Sequence, residues 1–212
     1  MISTQQRPAA EIAFSIRLPE DWLPLDLEGD RIPVQVERLV ATAAAADPAI
    51  DRHRSVIEKQ IREALREARA ADLSFCAVLA KVIDDVLPLA ASFTIALRNP
   101  PADAGDLLTG VRRIPNAIVG EFEIPDVGTV ARARYVTRSP SGSLGNQPVD
   151  VSVTQYFVRP PRGRRIAIIT ASTPVLVLAD EFAELFDSMV RTFAFEPVAP
   201  DLREAPHGGP TR

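Results

Sequence analysis

Hydrophobic and polar positions alternate most clearly near the end of the chain. Across residues 149–158, Val149, Val151, Val153, Gln155 and Phe157 fall on one side, and Asp150, Ser152, Thr154, Tyr156 and Val158 on the other. That is the period of a β-strand. RPPRGRR turns the chain and residues 166–171 predict an apolar return strand. Thr173-Pro174 is placed to cap a helix in which Leu178, Phe182, Leu185, Phe186, Met189 and Phe193 recur at helical spacing. Such a stripe faces a core. Asp180, Glu184 and Asp187 are expected on the wet side of that helix, with Asp187 and Arg191 spaced as an ion pair.

Period also places elements along the rest of the chain. Ile12, Phe14, Ile16 and Leu18 share one face of a strand over residues 11–18. Residues 34–46 predict a helix. Asp47-Pro48 predicts a restart, with an N-cap acceptor and proline at the first helical position. The restarted helix, over residues 48–71, carries Ile57, Ile61, Ala64, Leu65 and Ala68 on one stripe, and its charged face has Glu58–Arg62 and Glu63–Arg66 at ion-pair spacing. Residues 73–81 lack alternation and predict a strand covered on both faces. IDDVLP is a connector containing Asp84 and Asp85. Residues 90–98 predict a strand with Phe93, Ile95 and Leu97 inward, and residues 103–113 a short helix. Two strands joined by Pro125-Asp126-Val127-Gly128 occupy residues 117–139, and residues 139–148 form a loop. The expected organisation is a disordered segment at 1–10, one α+β domain at 11–196 and a Pro- and Gly-rich disordered tail at 197–212.

Composition narrows the chemistry. Net charge is −4 over 212 residues, so charge alone does not mark a nucleic-acid binder. Two histidines and one cysteine cannot by themselves furnish a standard structural zinc site. A triad would have to recruit His53 or His207, and no GxSxG elbow is present. The glycines of the 139–148 loop follow neither GxGxxG nor GxxxxGK[ST] order. No cofactor is therefore expected, and a non-enzymatic role is the first expectation. Cys76 reads as a small buried hydrophobe with an inert thiol. No apolar run is long enough for a membrane span, the opening lacks a signal-peptide pattern, and the sole cysteine fits a reducing compartment; the expected location is cytoplasmic.

One local anomaly is basic. Between residues 129 and 170 stand Arg132, Arg134, Arg138, Arg159, Arg162, Arg164 and Arg165 against a single acid, Asp150. Guanidinium forks suit carboxylate or phosphate partners, and no aromatics interleave to stack bases. An acidic protein surface is thus the expected partner, while solubility and protection of strand edges is the alternative. Glu121 and Glu123 point the same way from one strand, so they are candidates for a cation or a shared proton, or are simply exposed carboxylates. Trp22 either seals an end of the core or contacts a ligand. A second functional expectation joins Trp22, Glu121 and Glu123 around a small molecule, or as a carboxylate-based enzyme, in a pocket between the sheet and the 48–71 helix. A third is a self-assembling subunit, a homo-oligomer.

The opening IAFSIRLPEDWLPLDL and the closing VSVTQYFV…RRIAIITASTPVLVLADEFAELFDSMVRTFAF resemble the PsbP-like superfamily. That group includes the extrinsic P subunit of photosystem II, the Ran-binding Mog proteins and actinobacterial surface lipoproteins. The resemblance covers both ends of the chain and, by element order, the middle. It implies an α/β/α sandwich around a mainly antiparallel sheet, used as a binding or assembly module. The chain departs from the lipoprotein branch in lacking a lipobox cysteine. It has no motif that would carry over the Ran or photosystem contacts. The Ala-, Arg- and Pro-rich composition points to a high-GC bacterium.

Overall fold

The computed structural model describes residues 2–6, 13–27, 32–46, 51, 54–83, 87–100, 107–139, 148–161 and 165–196. The Asp47-Pro48 restart, Ile12, His53, the Asp84–Asp85 connector, most of the 139–148 loop, Arg162, Arg164, His207 and the tail lie outside the described residues.

The architecture is α+β, an α/β/α sandwich. Its middle layer is a seven-stranded antiparallel sheet in the order β3-β4-β5-β9-β8-β7-β6. These strands are β3 (Trp22–Pro24), β4 (Phe75–Ile83), β5 (Leu87–Arg98), β6 (Ile118–Ile124), β7 (Gly128–Ser139), β8 (Val149–Val158) and β9 (Ile166–Thr173). A smaller sheet joins β1 (Ile2–Gln6), β2 (Ala13–Leu18) and β10 (Ala194–Glu196) in the order β1-β2-β10. The helices are α1 (Ile32–Ala46), α2 (Arg54–Ala70), α3 (Leu107–Val111) and α4 (Ala179–Val190).

Each face of the large sheet buries what its period dictates. On one face Phe75, Ala77, Leu79, Phe93, Ile95, Leu97, Ile169, Ala171, Tyr156 and Val158 meet Phe182, Phe186 and Met189 of α4 and Phe14, Ile16 and Leu18 of β2. This is the principal core. On the other face Cys76 and Val78 pack with Val36 and Val40 of α1 and Leu65 and Ala68 of α2. At the far end, Val111 of α3 covers Ala131 and Ala133. β4 is therefore covered on both sides, which is why its sequence shows no alternation. α2 keeps the Arg62–Glu58 pair at 2.9 Å on its outer side. The side chains of Ile57, Ile61 and Ala64 are outside the described set.

α4 begins later than the Thr173-Pro174 cap predicts, at Ala179, with Leu178 at its N-cap position and no side-chain cap bond. The Thr173 hydroxyl accepts the Val175 N–H at 3.1 Å, and one turn of 3-10 helix over Leu176–Leu178 leads into it. Two further elements differ from the sequence pattern. Residues 2–6, expected to be unstructured, form a strand paired antiparallel with β2, Ile2 opposite Leu18 and Gln6 opposite Phe14. The apolar stripe of α4 continues numerically to Phe193, yet the helix stops at Val190 and Ala194–Glu196 becomes β10 on the other side of β2. The competing partner is the free side of β2. A Thr192 hydroxyl that accepts the Arg17 N–H at 2.9 Å and donates to the Met189 carbonyl at 2.7 Å fixes the corner.

Candidate functional site

The hydrophobic layers position the charged groups. β7 and β8 run side by side, with Arg132 opposite Tyr156 and Arg134 opposite Thr154, and their even-numbered side chains face α4. Asp187 of α4 comes down between them. Its carboxylate accepts from Arg132 at 3.1 Å and from the Tyr156 hydroxyl. Burial, reinforced by the adjacent carboxylate, pushes the Tyr156 phenol well above its ordinary range. The Phe122 ring lies beneath two guanidinium groups, Arg191 at 4.9 Å and Arg132 at 5.8 Å from its centroid. Cation–π contact of this kind keeps an arginine against an apolar surface without removing its charge. Arg134 reaches Asp180 at 2.6 Å near the helix start, where Asp180 is 88% exposed. Asp187 thus faces the sheet rather than the solvent, and it pairs with Arg132 rather than Arg191. The sequence did hold a signal for this. Asp187 falls four residues after Ala183 and three before Val190, both buried.

The five described arginines of the 129–170 segment therefore have different settings. Arg132, Arg134 and Arg138 do share one face of β7, but the first two are tied to α4. Arg138 is exposed and stands in register with Asp150. Arg159 follows the opposite end of β8, about 30 Å from Arg138 at the rise of an extended strand. Arg165 enters β9 at that same end. One of its terminal nitrogens makes a long bond, 3.4 Å, to the Leu97 carbonyl, and its Nε is buried with no acceptor among the described residues. Beside it, Arg98 ends β5. Arg98 donates to the Asp72 carbonyl at 3.0 Å and to the Ala71 carbonyl. Asp72 holds a positive φ of 47° at the tight turn that makes those carbonyls available. Sequence patterning misses Arg98 because it lies outside the 129–170 segment. The sheet brings Arg98, Arg159 and Arg165 together at the ends of three adjacent strands, β5, β9 and β8.

Trp22, Glu121 and Glu123 are not brought together. Trp22 is 1% exposed, edge-on to Phe93 at 6.3 Å and Phe186 at 6.2 Å, so its ring seals one end of the principal core. Glu121 and Glu123 are exposed on the opposite face of β6, the far edge of the sheet from β3; at the usual strand spacing that is about 29 Å away. Glu123 accepts from the Thr129 hydroxyl at 2.7 Å. Between the sheet and α2 lies the apolar cluster around Cys76. Burial pushes the Cys76 thiol up to about 12, which keeps it protonated and unreactive. Among the described residues, no group of three or more His, Cys, Asp and Glu side chains is placed to hold a metal ion. Among the same residues, no helix is long and apolar enough to cross a membrane.

The class these layers define is an α/β/α sandwich with its charged groups at the ends and edge of the sheet. Among solved structures, the chain is similar to LpqN, described as involved in cell envelope biogenesis of Mycobacterium tuberculosis. The TM-score is 0.45 at 8% identity, over 92% of this chain and 91% of that one, a distant likeness of fold. No family model matches the chain, and no curated protein sequence matches it.

Proposed function

We propose that this protein is a non-enzymatic binding or assembly module, and that it receives an acidic protein surface at the sheet end formed by Arg98, Arg159 and Arg165. The observation that carries the reading is the gathering of Arg98, Arg159 and Arg165 at the same end of three adjacent strands, β5, β8 and β9. Guanidinium forks gathered at one sheet end suit a partner's carboxylates, which they meet with charge-assisted bonds. Arg98 is pre-positioned by the Ala71 and Asp72 carbonyls, and Arg159 is exposed beside it. The RPPRGRR turn adds Arg162 and Arg164, in sequence between Arg159 and Arg165. The finer family reading, a PsbP-like module, accords with this use of the fold.

The test is a two-stage binding experiment. The partner is captured from the native host with the unaltered chain, identified, and purified. Its affinity is then measured by calorimetry at several salt concentrations. Joint reversal of Arg159, Arg162, Arg164 and Arg165 to glutamate is expected to weaken binding at least tenfold and to flatten its salt dependence. Arg138→Glu, at the other end of the sheet, is expected to leave affinity unchanged. Equal affinity for the reversed and unaltered proteins would refute the assignment.

A further inference from the structure

We infer that two copies of this chain associate through antiparallel pairing of β6 with its twofold mate, joining two seven-stranded sheets into one. This surface is distinct from the basic end, and its role stands or falls independently of it.

The two edges of the large sheet are built differently. β3 is three residues long and carries Pro24, which has no N–H to offer and blunts that edge. β6 is seven residues long, IVGEFEI, with no proline or lysine within it. Among the described residues it pairs only with β7, in a ladder from Ile118 opposite Arg134 to Ile124 opposite Gly128. The ladder closes at the turn on Ile124, whose carbonyl also accepts the Val127 N–H at 3.0 Å. By the alternation of an antiparallel pair, Ile118, Gly120, Phe122 and Ile124 direct their backbone groups to β7. Val119, Glu121 and Glu123 direct theirs off the edge.

Side chains select the partner and the register. Ile118 is 78% exposed on the face shared with Phe122, and between them Gly120 leaves open space, with no atom within 4 Å of where a Cβ would stand. A twofold pairing that uses the outward backbone groups can be centred on Val119, Gly120, Glu121 or Phe122. Centring on Glu121 sets that carboxylate against its own copy. Centring on Phe122 sets Glu121 against the other copy's Glu123. Both are repulsive cross-strand pairs. Centring on Val119 shortens the overlap. Centring on Gly120 places Glu121 opposite the other copy's Val119 as a hydrogen-bonded pair, twice over. It also brings Ile118 opposite the other copy's Phe122, an aromatic–β-branched pair of the favourable kind. The two glycines meet at the axis, where strands approach most closely. β6 is thus complementary to itself.

Analytical ultracentrifugation of the full chain over a broad concentration range tests this. The unaltered chain is expected to dimerise. Ile118→Glu and Val119→Pro are each expected to give a folded monomer by circular dichroism, because both sit on the edge strand and by the antiparallel alternation the Val119 N–H points away from β7. Register is read separately by oxidative cross-linking. G120C is expected to form a covalent dimer readily and E121C is not, since only position 120 faces its own copy across a distance a disulfide spans. Cys76, buried and protonated, does not compete. A chain that stays monomeric at every concentration overturns the inference. So does a dimer that survives both edge substitutions, or one in which E121C cross-links in preference to G120C.

Discussion

Replacing Asp187 by alanine tests the clamp between α4 and the sheet most directly. The carboxylate serves two neighbours, the Tyr156 hydroxyl and the Arg132 guanidinium. Tyr156 is fully buried, so its hydroxyl would lose its acceptor, with only the donor Arg132 left beside it, at a cost of about 1–3 kcal/mol. The ion pair is partly screened, with side-chain exposures of 23% for Arg132 and 18% for Asp187. Its loss therefore adds about 1 kcal/mol, well short of the penalty for a fully buried pair. Together the substitution is expected to remove about 2–4 kcal/mol and lower the melting temperature by roughly 5–15 °C for a chain of this size. Tyr156→Phe removes the stranded hydroxyl together with its need for a partner. In that background Asp187→Ala is expected to cost only about 1 kcal/mol, and a double-mutant cycle by urea unfolding should return a coupling of about 1–3 kcal/mol. A loss below about 0.5 kcal/mol for the single variant, or strict additivity in the cycle, would refute the clamp.

The remaining predictions concern the core, the surface and alkaline pH. Trp22→Ala is expected to destabilise by about 3–5 kcal/mol, and the sole tryptophan should emit in the blue and resist acrylamide quenching in the native protein; ready quenching would show that the ring is not sealed in. Arg134→Ala breaks a pair whose acid is 88% exposed and should change stability by no more than about 1 kcal/mol, measured by the same urea titration. Because burial raises the Cys76 thiol to about 12, the unfolded chain releases that proton first. The stability this group contributes is complete below about pH 8.5 and declines as pH climbs toward 12, by up to about 1.4 kcal/mol per pH unit. Tyr156 acts with the same sign above the ordinary tyrosine range. Urea midpoints for Cys76→Ala should show an alkaline slope shallower by one proton, and native Cys76 should resist thiol reagents until the protein is unfolded.

Much of this architecture was legible in the chain because it rests on period. The β8–β9–α4 order, the inward set Phe93, Ile95 and Leu97, and the double burial of Cys76 and its neighbours all stem from alternation or its absence. What escaped depends on long-range choice of partner. ISTQQ has no apolar face to announce a strand, and β1 exists because β2 offers it a ladder. Phe193 extends the helical stripe of α4 by number alone, and the chain leaves the helix because the backbone of β2 is available. The role of Asp187 escaped for a related reason. Its spacing from Asp180 and Glu184 reads as a wet face, whereas the outcome is set by an arginine and a phenol more than thirty residues earlier. Periodicity likewise said nothing of Arg98, which joins Arg159 and Arg165 only through the order β5-β9-β8.

The seam between β2 and β10 joins residues 13–15 to residues 194–196, and the Arg17–Thr192 bond spans 175 positions of chain. During biosynthesis β2 must therefore wait for β10 to leave the ribosome, roughly 10–35 s at ordinary translation rates. Throughout that interval Phe14, Ile16 and Leu18 lack their final cover. A nascent chain of this protein thus presents chaperones with the apolar face of β2 until β10 has been made.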